Sequence, residues 1–215
     1  MKTKDRILLA SLDAFSEEGI GQISTNHIAD ILDISPGNLY YHFKSKGEII
    51  IALYDCFKND FSAFVESSER HIKSPQEIWL ILNLTFQLMS KYRFIFRDAS
   101  FAINRYPELN RPFNQLLKAT RLAIDNFCKY LQKQGLVQLN SQQSALLSTS
   151  IHLTLTQWFD YAYIYINKQK SISKNSDLNQ SSDKLVDLGV SQTISLIQPY
   201  MAEQMRSYFD EILTA

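Results

Sequence analysis

Three serines stand where helices must begin, at positions 24, 35 and 45. Ser35 precedes Pro36, whose ring presets a helical φ and whose missing N–H is one that a first helical turn leaves unpaired anyway. Ile34 before the cap and Leu39 within the helix are spaced as a hydrophobic staple. Ser24 opens a short apolar-periodic run with Ile28, Ala29 and either Ile31 or Leu32 facing inward. Ser45 and Glu48 have capping-box spacing, so each is placed to satisfy the other's free backbone donor. Only Leu32-Asp33-Ile34 interrupts the first two runs. Upstream, residues 3 to 18 carry Ile7, Leu8, Leu12 and Phe15 at helical spacing, with Gly19 where a left-handed cap belongs. The outline is a helix, then two short helices joined by a tight turn.

The rest of the chain continues in the same style. Gly (6) and Pro (5) are scarce among 215 residues, and no sustained alternating run occurs, which argues for an all-α chain of about nine helices. A fourth helix is expected to about residue 71, then helices at roughly 75–91, 92–104, 107–135, 141–167 and 183–213. Pro107, Gly135 and the cap-like Ser141 mark boundaries. The polar stretch 167–183 reads as a mobile loop, and Pro199 should kink or split the last helix. Cys56 and Cys128 read as buried reduced thiols. There is no signal-like apolar run after the basic start and no apolar stretch long enough to span a bilayer, so the expected setting is cytoplasmic.

The third helix carries the chemistry. Leu39 and Phe43, at i and i+4, share the inward face. That leaves Asn38, Tyr40, Tyr41 and His42 for a partner, and the major groove of double-stranded DNA fits. Gly37 permits close approach, Asn38 offers a donor–acceptor pair to a base edge, and Pro36 can touch a thymine methyl. The phenols and His42 can reach phosphate; Lys44 and Lys46 add charge. Residues 1–50 hold five basic groups (Lys2, Lys4, Arg6, Lys44, Lys46) and seven acidic ones (Asp5, Asp13, Glu17, Glu18, Asp30, Asp33, Glu48), a net of −2. The cations cluster at both ends, where they can flank a docked helix. Modest non-specific affinity follows, with dependence on two half-sites.

The run from Ser24 to Lys46, STNHIADILDISPGNLYYHFKSK, resembles the N-terminal domain of the TetR family of bacterial regulators. The carriers are Ile-Ala in the second helix, Tyr-x-His-Phe in the third, Lys46 following Ser45, and the upstream helix ending at Gly19. The resemblance implies a helix-turn-helix DNA-binding domain over 1–61, with the motif at 24–43, and a C-terminal regulatory and dimerisation domain over 62–215. It places Thr25, Asn26, Pro36, Gly37, Asn38, Tyr40, Tyr41, His42 and Lys46 at DNA-contacting positions. Asp33 stands where the family's turn usually has Gly, a substitution that the left-handed region tolerates.

No catalytic or phosphate-loop motif is present, so no enzyme is expected, and no cofactor or metal site. The stretch 144–166 is apolar on nearly every face, and the last helix carries another long apolar stripe, which together suggest a homodimer interface through Leu155, Phe159, Leu188, Ile194, Ile197, Met201 and Met205. Aromatic residues with interspersed polar ones suggest a pocket for a small apolar or aromatic ligand. Its candidates are Phe61, Phe64, Trp79, Asn83, Phe86, Gln87, Phe101, Asn104, Phe113, His152, Thr156 and Gln157. The expected function is a ligand-released repressor that binds a palindromic operator. The alternatives are a same-fold regulator without an inducer, acting as an activator or under a protein partner's control, and a helical protein-interaction adaptor.

Overall fold

The computed structural model describes residues 2–68, 72, 74–172 and 182–214. Eleven α-helices occur among them: α1 (Thr3–Glu18), α2 (Thr25–Ile31), α3 (Pro36–His42), α4 (Lys46–Ser68), α5 (Pro75–Lys91), α6 (Phe94–Arg97), α7 (Ala99–Arg105), α8 (Asn110–Lys133), α9 (Ser141–Ile172), α10 (Ser182–Ile197) and α11 (Glu203–Thr214). No strand is found among the described residues. The chain forms two compact units, one of residues 1–62 with 91–117 and the other of 63–90 with 118–215. Helices α4 and α8 each contribute to both.

In the first unit the serine caps form as expected. Ser24 Oγ accepts from His27 N–H at 3.0 Å and Ser35 Oγ from Asn38 N–H at 3.2 Å. Ser45 Oγ accepts from Glu48 N–H at 3.1 Å, but the reciprocal bond differs: Glu48 Oε2 takes the N–H of Lys44, at 2.7 Å. Gly19 ends α1 with φ 95° and ψ 152°, a positive-φ cap with an extended rather than left-handed ψ. The core is Ile7, Phe15, Ile20, Ile28, Leu39, Phe43, Ile49, Ile50, Leu53 and Phe57, all essentially buried. Of the two candidates at the end of α2, Ile31 is exposed and Leu32 half-buried. Phe57 stacks on Phe61 at 5.6 Å and meets Tyr92 and Phe96 edge-on at 5.4 and 5.8 Å.

Residues 91–98 fasten this unit by gripping the end of α1. Arg93 Nε donates to Ser16 O at 2.7 Å, and burial pulls this guanidinium's pKa down. Arg97 donates to Phe15 O at 2.7 Å and Ser16 O at 3.0 Å, and pairs with Asp98 at 3.0 Å. Asp98 Oδ2 in turn accepts Ile20 N–H at 2.7 Å. Ser16 O, which the helix end leaves without a backbone donor, thus gains charged ones, and Phe15 O gains a charged donor beside Gly19 N–H.

In the second unit α5 opens on a full capping box. Ser74 N–H reaches Glu77 Oε2 at 2.9 Å, and Glu77 N–H reaches Ser74 Oγ at 3.3 Å. The cap of α9 is Asn140 rather than Ser141: Asn140 and Gln143 exchange backbone and side-chain bonds, both at 2.9 Å. Gly135 takes φ 71° beyond α8. Pro199 splits the final helix as expected, leaving a 3-10 turn over 198–200 between α10 and α11. The freed backbone is satisfied by the preceding linker, with Gln138 N–H on Tyr200 O at 2.8 Å and Ala202 N–H on Leu136 O at 3.0 Å. Of the expected loop at 167–183, residues 167–172 are helical and 173–181 lie outside the described residues.

Candidate nucleic-acid interface

The turn between α2 and α3 depends on Asp33, whose φ of 52° is the left-handed value expected for it. Ile34 N–H then bonds Ala29 O at 3.0 Å, and Ser35 starts α3. With Leu39 and Phe43 buried, the opposite side of α3 is bare. Pro36, Gly37 and Asn38 are exposed, as is Asn26 on α2. Tyr41 is 77% exposed and Tyr40 46%. Such exposure of paired aromatics is what a core role would forbid. The His42 ring, half-buried, stands edge-on to Tyr41 at 5.1 Å and 83°.

Thr25, Tyr40, Lys44 and Lys46 come together around an open cleft of about 360 Å³. Gly21, Gln22, Ile23, Ser24, Ser45 and Tyr106 complete its lining. Lys46 differs from its expected role as a free cation. Its ammonium donates to the carbonyls of Ile20 and Ile23 and lies 5.7 Å from the centre of the Phe15 ring. Burial lowers its pKa. The side chain ties the α1–α2 turn to the start of α4, so Lys44, which is exposed, is the freer charge. The basic N-terminal segment flanks α3: Lys4 Nζ sits 5.4 Å from the Phe43 ring centre, and Arg6 donates to Leu32 O at 3.3 Å. Tyr106 and Gln22 were not legible as members of this cleft, because Tyr106 arrives from the far end of α7.

Comparison with known proteins gives the arrangement a family. The family described as "Bacterial regulatory proteins, tetR family" matches residues 7–53, and that described as "TetR: Bacterial transcriptional repressor" matches residues 56–209. The chain belongs to the TetR family. A crystal structure of a TetR-family transcriptional regulator from Marinobacter aquaeolei VT8 superposes with a TM-score of 0.82 at 27% identity, covering 100% of this chain and 98% of that one. A probable HTH-type transcriptional regulator of Bacillus subtilis, YttP, is 25% identical over 107 residues, 46% of this chain and 52% of the relative. The HTH-type transcriptional regulator QacR of Staphylococcus aureus is 25% identical over 99 residues, again 46% and 52%. The match spans about half the length of these curated relatives. All are regulators, none an enzyme.

The residues expected to line a ligand pocket are distributed over both units of this TetR-family chain. Phe61, Phe101, Asn104 and Phe113 belong to the first unit, and the other eight to the second. Phe113 lies 6.2 Å from Phe96 and 6.3 Å from Tyr54 in an aromatic cluster, and Phe101 is an exposed ring against Gly21. Asn104, Gln87 and Gln157 are exposed, and Gln87 bonds Asn83 at 2.7 Å. Within the second unit Phe86 is fully buried against Phe159 at 6.2 Å, while Phe64 and Trp79 are half-buried. His152 Nε2 lies 2.9 Å from Thr120 Oγ1, and Thr156 Oγ1 donates to His152 O at 2.8 Å. Burial, then the nearby Arg121 charge, lowers the His152 pKa.

The expected dimer residues differ in their exposure within one chain. Leu155, Phe159, Ile194, Ile197, Met201 and Met205 are buried inside their own chain; Leu188 alone of that set is exposed. Among the described residues α9 also carries exposed apolar side chains at Leu146, Leu153, Tyr161 and Ile164, which recur along one side of the helix.

Proposed function

We propose that the protein is a cytoplasmic DNA-binding repressor that acts as a homodimer on a palindromic operator. The observation that carries this reading is the outward set on α2 and α3: Asn26, Asn38, Tyr40 and Tyr41 stand bare on a helix pair whose apolar side is buried. An α-helix of this size fits the major groove. Pro36, Gly37 and Asn38 read base edges, while Thr25, Tyr40, His42 and Lys44 meet phosphates and fix the register. In the dimer the two copies of α3 stand about 34 Å apart and enter successive major grooves on one face of the duplex.

The exposed stripe Leu146, Leu153, Tyr161 and Ile164, with Leu188 on the adjoining α10, is the dimer surface. Trp158 Nε1 donates to Leu185 O at 2.8 Å and so holds α9 and α10 in fixed register. A small apolar or aromatic ligand binds the second unit near Phe64, Trp79, Phe86, His152 and Thr156. It releases DNA to the extent that it prefers the form in which the two reading heads are mis-spaced. Selection from random duplex DNA tests the reading. Wild type enriches a palindrome, and Asn38→Ala and His42→Ala weaken binding to it. Equal binding by all three chains would refute it. Thermal-shift screening with release of bound DNA tests the ligand.

A further inference from the structure

We infer that each operator half-site presents adenine–thymine pairs, rather than guanine, to the reading face. The inference rests on the DNA-binding reading above and names the bases that the site takes. From Thr25 to Phe43 the chain contains no Arg and no Lys. Guanine is read chiefly by bidentate Arg or Lys on its O6 and N7 acceptors, and adenine by bidentate Asn or Gln on N6 and N7. The reading face offers two amides, Asn26 and Asn38, both exposed. Neither side-chain amide is engaged in a hydrogen bond among the described residues, so both donor and acceptor are available.

The cations nearby are committed elsewhere. The Lys46 ammonium points inward onto Ile20 O and Ile23 O. Arg6 caps the end of α2 through Leu32 O at 3.3 Å. Lys4 lies over the Phe43 ring at 5.4 Å. Lys44 lines the cleft with Ser24, Thr25 and Tyr40, a hydroxyl-rich setting suited to phosphate. His27 is exposed but supplies one ring N–H when neutral, which does not replace a two-pronged donor. Asp30 and Asp33, also exposed, carry the charge that phosphates repel, so the closest approach falls to Asn26 and the start of α3. Pro36 and the 77%-exposed Tyr41 ring add apolar surface, which suits the thymine methyl on the opposite strand.

The test is selection from random duplex DNA with the full chain at fixed salt, followed by affinity measurements on single-base variants of the enriched site. Wild type is expected to enrich A·T at the positions whose preference Asn38→Ala erases. Changing the contacted adenine to guanine lowers affinity by about 5- to 150-fold. Asn38→Arg moves the selected base at that position to guanine, and Asn38→Gln keeps adenine; a structural role for the exposed Asn38 would leave the selected base unchanged in the Arg variant. A wild-type consensus with guanine at the Asn38-dependent position overturns the inference while leaving DNA binding intact. No enriched sequence at all removes the DNA-binding reading and the inference together.

Discussion

Replacing Arg97 by Ala removes the centre of the grip on α1. Its side chain is 16% exposed and that of Asp98 17%, so solvent screens the pair little. The bonds to Phe15 O and Ser16 O, with the Asp98 ion pair, would sum to several kcal/mol at roughly 1.5–3 kcal/mol for each charged hydrogen bond. The structure trims that sum. Phe15 O keeps Gly19 N–H at 3.0 Å, and Ser16 O keeps Arg93 Nε at 2.7 Å. Asp98 keeps Ile20 N–H but loses its counter-charge in a partly buried place. The net loss should be about 2–3 kcal/mol, a drop in Tm of about 5–10 °C for a chain this long. Arg97→Lys keeps the charge but cannot span two carbonyls and the carboxylate, so it should recover less than half. Urea unfolding of the three chains, followed by circular dichroism, measures the difference. An Arg97→Ala chain within about 0.5 kcal/mol of wild type would refute the argument, since that is the scatter of an ordinary surface substitution.

Gly189→Ala should destabilise the second unit by about 1–3 kcal/mol. The new methyl would stand 2.7 Å from Phe86 Cδ1 and 2.8 Å from Trp158 Nε1, inside a packed aromatic contact; thermal unfolding reads the loss. His152, its pKa depressed below 6.5, resists a proton that the unfolded chain accepts. Stability should therefore fall as pH drops from about 6.5 toward 5, and His152→Gln should flatten that slope in denaturation series at stepped pH. Leu153→Asp together with Leu188→Asp should shift the mass measured by sedimentation from dimer to monomer with helix content unchanged. Met201→Ala, at a buried position, should lower stability by about 2–5 kcal/mol.

What the residues disclosed in advance was local. Ser24 and Ser35 act through neighbours three residues away, and Pro36 and Asp33 need only their own backbone, so the helix-turn-helix and its bare face could be read from spacing. Pro199 broke its helix for the same reason. The Asn140–Gln143 box is equally local, but Ser141 beside it has the same capping chemistry, so spacing alone does not choose between them. Other features depend on distant chain. The Arg97 grip joins residues about eighty positions apart, and Lys46 finds its carbonyls more than twenty residues upstream. Periodicity placed Leu155 and Ile194 on apolar stripes, but a stripe does not say whether its own chain or a second copy covers it. Aromatic residues were plentiful enough to suggest a pocket, but composition does not say which compact unit each ring joins, and the candidates fall in both.

The most direct test of the account is hydrogen–deuterium exchange of the full chain with and without the DNA fragment it selects. The account predicts slowed exchange across residues 24–27 and 36–46, with the largest change at the start of α3. Protection confined to α9 and α10, or to α7, with none on α2 and α3, would contradict it.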